Sequence, residues 1–150
     1  MTSKTAVEAF LAEKDLAIVG VSRGGKKFGN VAMRELLANG YGVFPVHPEA
    51  ETIDGVRCHA SLLTLPQPVG GLLVVVPPRQ TEEVVRDASA AGIRRVWMQQ
   101  GSASEAAIAF CREQGIEVIH GECILMFLPR IAAFHRFHGW LWKVLGKQPR

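Results

Sequence analysis

A chain of 150 residues with 48% hydrophobic and 21% charged residues can bury one sizeable core and is too apolar for wholesale disorder. A formal charge of only +3 carries no nucleic-acid footprint, and the three cysteines, Cys58, Cys111 and Cys123, lack paired or metal-type spacing. The beginning of the chain has no signal-peptide core, and its most apolar tract, Ile124–Leu128, is too short to span a bilayer. The expectation is a reduced, cytoplasmic, single-domain protein with neither a membrane nor a nucleic-acid partner.

Thr5-Ala-Val-Glu8 reads as a capping box for a short leading helix with Val7, Phe10 and Leu11 on one face. Leu16–Val21 is a first strand. Phe28–Asn39 is helical, with Phe28, Val31, Ala32 and Leu36 at helical spacing and Gly40 as its stop. Tyr41–Val46 is a second strand, closed by His47-Pro48 because the residue before a proline prefers extended geometry. Gly55–Cys58 reads as a short extended piece and Ser61–Leu65 as a helical turn. Leu72–Val76, unbroken and β-branched, is a strand buried on both faces and ended by Pro77-Pro78. Thr81 is expected to cap the next helix, with Val84, Val85 and Ala88 turned inward and Gly92 as the stop. Arg94–Met98 is a fourth strand, Ser102-Ala-Ser-Glu105 a second capping box for a helix ending at Gly115, and Ile116–Ile119 a fifth strand. Strands alternating with helices in this way predict an α/β, Rossmann-like three-layer sandwich on a five-stranded parallel sheet.

Residues 1–124 form this domain, and residues 125–150 read as a separate C-terminal amphipathic helix reaching to about Leu145. At ~100° per residue, Phe127, Ile131, Phe134, His138, Leu141 and Leu145 form one stripe, and Ala133, Phe137, Trp140 and Val144 a second beside it. So wide an apolar sector predicts that the helix covers its own domain and a second subunit, giving a homodimer. The alternatives are a core helix whose second stripe is partly exposed and a membrane-surface helix.

Open parallel sheets bind ligands beyond the carboxyl ends of their strands. Those ends supply the candidate site: Gly20, Val21, Ser22, Arg23, Lys27, Phe28, Gly29 and Asn30, then His47 and Pro48, then Val76, Pro77 and Pro78, then Met98, Gln99, Gln100 and Gly101, and finally Cys123. The glycine- and lysine-rich turn that runs from the first strand into a helix is the arrangement that cradles a phosphate, so a small nucleotide ligand is expected. Its spacing departs from the dinucleotide fingerprint, since Ser22 stands where the second glycine belongs, and strand two ends in His47-Pro48 where an acid would hold a ribose. NAD or NADP is therefore the second choice. His47, His59, His120, His135 and His138 are scattered and form no metal set, and the nucleophile-elbow letters of Gly20-Val-Ser22-Arg-Gly24 have no visible acid partner. No catalytic residue and no metal ligand is assigned.

Six blocks recur in order: Gly20-Val-Ser-Arg23, Lys27-Phe-Gly-Asn30, Gly40-Tyr-Gly-Val-Phe-Pro-Val-His-Pro48, Val74-Val-Val-Pro-Pro78, Val96-Trp-Met-Gln-Gln-Gly101 and Glu122-Cys-Ile124. Together they resemble the small stand-alone CoA-binding-domain proteins, relatives of the nucleotide-binding domain of the succinyl-CoA synthetase α subunit, from about Thr5 to Ile124. The resemblance implies that coenzyme A or an acyl-CoA lies along the strand ends, held by Gly20–Arg23, near His47-Pro48, and at Met98-Gln99-Gln100. Lys27 is added as a phosphate contact from its charge and position. The larger relatives carry their phosphorylated histidine on a second domain for which this chain has no room, so His120 is not given that role. The expected protein is a small non-catalytic or regulatory binding module, and Cys123 is expected near the pantetheine end, where a mixed disulfide with CoA could form. The alternatives are an NAD(P)-binding redox sensor or oxidoreductase, and a scaffold acting through its C-terminal helix.

Overall fold

The computed structural model describes residues 3–129. Helix α1 (Lys4–Leu11) starts at Ser3, whose hydroxyl accepts the Ala6 N–H at 3.0 Å. The cap is thus Ser3 and not Thr5, because that frame turns Ala6, Val7 and Phe10 into the core. Strand β1 (Asp15–Val19), helix α2 (Phe28–Ala38) and strand β2 (Gly42–Val46) follow. A hairpin of β3 (Thr52–Ile53) and β4 (Val56–Arg57) comes next, turning on Asp54 and Gly55 with φ of 52° and 78°. Those left-handed angles are the ones a two-residue Asp-Gly turn requires. The extended piece read at Gly55–Cys58 is half of this hairpin, and the turn read at Ser61–Leu65 is a 3-10 turn over Leu62–Thr64.

The second half contains β5 (Gly71–Val74), α3 (Pro78–Ala90), β6 (Arg95–Gln99), α4 (Glu105–Glu113) and β7 (Glu117–Glu122), then a 3-10 turn over Ile124–Phe127. Two expected caps move. Pro77 is the N-cap of α3 and Pro78 occupies its first position, where a fixed φ and a missing N–H cost nothing, so Thr81 lies inside the helix. Ser104, not Ser102, caps α4 by accepting the Ala107 N–H at 3.1 Å. Ser102 is instead folded into the preceding turn, its N–H donating to the Gln99 carbonyl at 2.7 Å.

The five longer strands form one parallel sheet in the order β2-β1-β5-β6-β7. Side chains alternate across it. Leu16, Ile18, Leu73, Trp97 and Ile119 face the layer of α1, α2 and the closing 3-10 turn. Ala17, Leu72, Val74, Val96 and Met98 face α3 and α4. Trp97 is fully buried at the centre of the first layer, with the Phe10 ring edge-on at 5.3 Å and the Phe127 ring at 5.5 Å. Its Nε1–H donates to the Glu122 carbonyl at 3.1 Å, so the indole is both packed and satisfied. Leu125 and Leu128 are buried in the same layer, so the chain remains part of the domain's core beyond Ile124.

The helix expected after Pro129 and the second subunit expected to cover it fall outside the described residues. Among the described residues no helix is long and apolar enough to cross a membrane. At the β2 edge, the His47 N–H donates to the His59 carbonyl and the His59 N–H to the Pro45 carbonyl, both at 2.9 Å.

Replacing Phe10 by Ala removes a fully buried ring from the side of Trp97 and is expected to cost about 3–5 kcal/mol. Urea unfolding checks this: the midpoint should fall while the slope stays constant.

Candidate functional site

In the order β2-β1-β5 the sheet reverses direction of growth at β1. Helix α2 leaves β1 toward one layer and α3 leaves β5 toward the other, so their first turns splay apart and open a crevice at the carboxyl ends of these strands. A cleft of about 320 Å³ lies there, lined by Gly20, Lys27, Phe28, Gly29, Val75, Val76, Pro77, Gln100, Gly101 and Ser102. Residues named from three separate strand ends thus meet in one depression. Val75 and Ser102 are the two additions that the sequence reading missed. The signal for Val75 was its place at the end of an apolar strand, which reads first as core.

Two glycines make the approach of these segments possible. Gly20 has φ of 125°, and a Cβ there would overlap the Val75 carbonyl. A Cβ on Gly29 would overlap the Gly20 carbonyl. The first turn of α2 therefore rests directly on the backbone leaving β1, which in turn rests on the backbone leaving β5.

Neither helix that begins at the cleft has a side-chain cap: the N-cap of α2 is Lys27 and that of α3 is Pro77, and neither caps through its side chain. The two helices that begin elsewhere, α1 and α4, are both capped by serine. The first N–H groups of a helix need a partner, and with the macrodipole they attract an anion. Lys27 is exposed beside that terminus and adds a full positive charge.

On the far wall, Thr81 is fully buried and its hydroxyl donates to the Ser102 carbonyl at 2.6 Å, tying α3 to the Gln100–Ser102 turn. A bulge between Met98 and Gln99 shifts the pairing of β6 with β7 so that Gln99 faces Glu122. The Gln99 side chain is buried, and its Oε1 accepts the Ile124 N–H at 3.1 Å. Gln100, one residue on, is exposed at the cleft.

Other expected site residues have structural tasks. Asn30 is fully buried and holds the loop after β1: its Oδ1 accepts from the Ser22 N–H at 3.0 Å and the Ser22 hydroxyl at 3.2 Å, and its Nδ2 donates to the Ser22 carbonyl at 2.9 Å. Val21 is buried in the α1/α2 layer, and Met98 in the α3/α4 layer. Arg23 is exposed and paired with Glu49 at 3.1 Å. His47 Nδ1 accepts the N–H groups of Glu49 and Ala50, each at 3.0 Å, and so shapes the turn through Pro48. Cys123 is buried in the α1/α2 layer, 6% exposed, and does not line the cleft. Burial raises the thiol of Cys58 above its ordinary value and pushes that of Cys111 up to about 11. All three cysteines are unpaired with one another. Among the described residues no group of His, Cys, Asp and Glu could hold a metal ion.

Ala in place of Gly ordinarily stabilises a helix by roughly 0.5–1 kcal/mol. Gly29→Ala should do the opposite, destabilising by about 1–3 kcal/mol, because the added methyl group must displace the backbone at Gly20. A thermal melt of the variant checks the sign.

The family described as CoA binding domain matches residues 14–129. An ADP-forming acetate–CoA ligase of Archaeoglobus fulgidus, form II, is 31% identical over 83 residues, which is 54% of this chain and 12% of the ligase. The chain therefore spans a small fraction of that enzyme's length. The uncharacterized protein YneT of Bacillus subtilis is 27% identical over 123 residues, covering 81% of this chain and 91% of that one. A conserved hypothetical protein from Pyrococcus furiosus superimposes with a TM-score of 0.71 at 35% identity, covering 75% of this chain and 97% of that chain. From residue 14 to residue 129, through the cleft and both layers that flank it, the chain belongs to the CoA binding domain family.

Proposed function

We propose that this protein binds coenzyme A or an acyl-CoA in the cleft between the ends of β1 and β5, as a binding or regulatory module in the cytoplasm. The observation that carries the reading is the pair of helix N-termini without side-chain caps, α2 and α3, with Lys27 beside the first of them. Such a site suits a phosphate-bearing ligand. An anion at a helix N-terminus gains roughly 0.3–1 kcal/mol from the dipole, and a lysine contact adds a charge-assisted hydrogen bond. Val75, Val76 and Pro77 give the cleft an apolar wall against which an uncharged part of the ligand can lie. The exposed Gln100 and the Gly101 backbone supply polar partners on the opposite side.

These groups bind and orient; the proposal asks none of them to move a proton. The ligase activity of the A. fulgidus relative belongs to a protein of which this chain matches 12%. What this chain shares with it is the domain, and the proposal for the domain is binding.

Thermal unfolding with CoA, acetyl-CoA, NAD and NADP added separately tests the reading. At ~100 times its Kd a ligand that binds only the folded state adds about 2.7 kcal/mol, a shift of several degrees for a domain of this size. CoA compounds should give that shift, and NAD and NADP should not. Lys27→Ala should weaken CoA binding by about tenfold while leaving the melt of the ligand-free protein where it is. A shift with NAD or NADP alone, or none with CoA, overturns the proposal.

A further inference from the structure

The β3–β4 hairpin lies outside the main sheet and lines no part of the cleft, yet its turn is bonded to α2 at Asn30, the residue that holds the loop after β1. Asp54, at the tip, has φ of 52°. Its Oδ2 accepts from Arg34 Nη1 on α2 at 2.7 Å and from Asn30 Nδ2 at 3.3 Å. Its side chain is 28% exposed. Asn30 is fully buried, and the remaining hydrogen bonds of its side chain go to Ser22. A polar relay therefore runs from the hairpin tip through one carboxylate and one amide to the backbone of the loop after β1. The hairpin is anchored at its other side by Ile53, 2% exposed in the α1/α2 layer.

We infer that Asp54 is a positioning residue: the hairpin acts as a brace that fixes the Ser22–Gly25 loop, and with it the geometry of the ligand cleft. Asp54 touches no ligand in this arrangement; it acts through Asn30. The conformation makes the assignment testable without disturbing the turn. Gly accepts a positive φ freely and Asn tolerates it, so Asp54→Gly removes the acceptor and Asp54→Asn keeps one, while both preserve the backbone. The inference rests on the cleft being the ligand site only where ligand affinity is concerned.

Hydrogen exchange of the full chain reads the loop directly, through the Ser22 N–H that Asn30 holds. Asp54→Gly should speed exchange at Ser22 about tenfold and leave the β5 and β6 amides at their original rates. Asp54→Asn should return most of the protection. CoA affinity should follow, falling about fivefold in Asp54→Gly and recovering in Asp54→Asn. Unchanged exchange at Ser22 in Asp54→Gly overturns the inference, as does an acceleration spread equally over β5 and β6. If Ser22 responds as expected while the wild-type protein ignores CoA, the brace stands and the CoA reading falls.

Discussion

The absence of a β-carbon at Gly20 and at Gly29 lets three backbone segments stack in direct contact. The exit of β5 supports the exit of β1, and the exit of β1 supports the first turn of α2. Main chain resting on main chain aims the start of α2 at the crevice, with no intervening side chain to fill it. Asn30 follows at once, turned into the interior, where it satisfies Ser22 from both ends of its amide. A loop that would otherwise carry unpaired polar groups into a buried place is thereby closed. Were either glycine replaced, the amides of α2 would still exist, but the cleft they face would have a different shape.

The rest of the sheet serves this arrangement. Parallel strands buried on both faces need helices on both sides, and the single reversal in strand order decides where the two layers part. The capping pattern divides along the same line. Serine hydroxyls cap α1 and α4, whose N-caps do not line the cleft, while α2 and α3 begin without such help. The bulge in β6 and the Thr81 bond to Ser102 hold the opposite wall, so both sides of the cleft are supported by buried hydrogen bonds.

The strands and their layer order were legible because burial on both faces leaves an unmistakable apolar run, as at Leu72–Val74. Helix starts were less so. Thr81 and Ser102 have the right chemistry for caps, yet Pro78 claimed the earlier start of α3, and a tight turn drew Ser102 inward. The hairpin was half seen: Asp54-Gly55 is a strong turn signal, but two-residue strands have no periodicity to detect. Gly20, Lys27 and Gln100, each named for its position after a strand, lie together along one cleft. That position could not separate residues that face the cleft from those that hold it. Asn30 and Gln99 are polar residues at strand ends or helix starts like the others, and only their buried hydrogen bonds assign them to the framework. Cys123 follows the end of β7, but its side chain turns into the α1/α2 layer.

The bonds between β2 and His59 have a consequence for the protein among its neighbours in solution. A parallel sheet with an open flank is a template on which foreign strands can polymerise. Here the Pro45 carbonyl and the His47 N–H, both on that flank of β2, are already taken by His59, and Pro45 itself has no N–H to offer. A short stretch of ordinary loop thus covers the carboxyl end of that edge as a selvedge finishes cloth, and leaves a foreign strand fewer backbone groups to catch on.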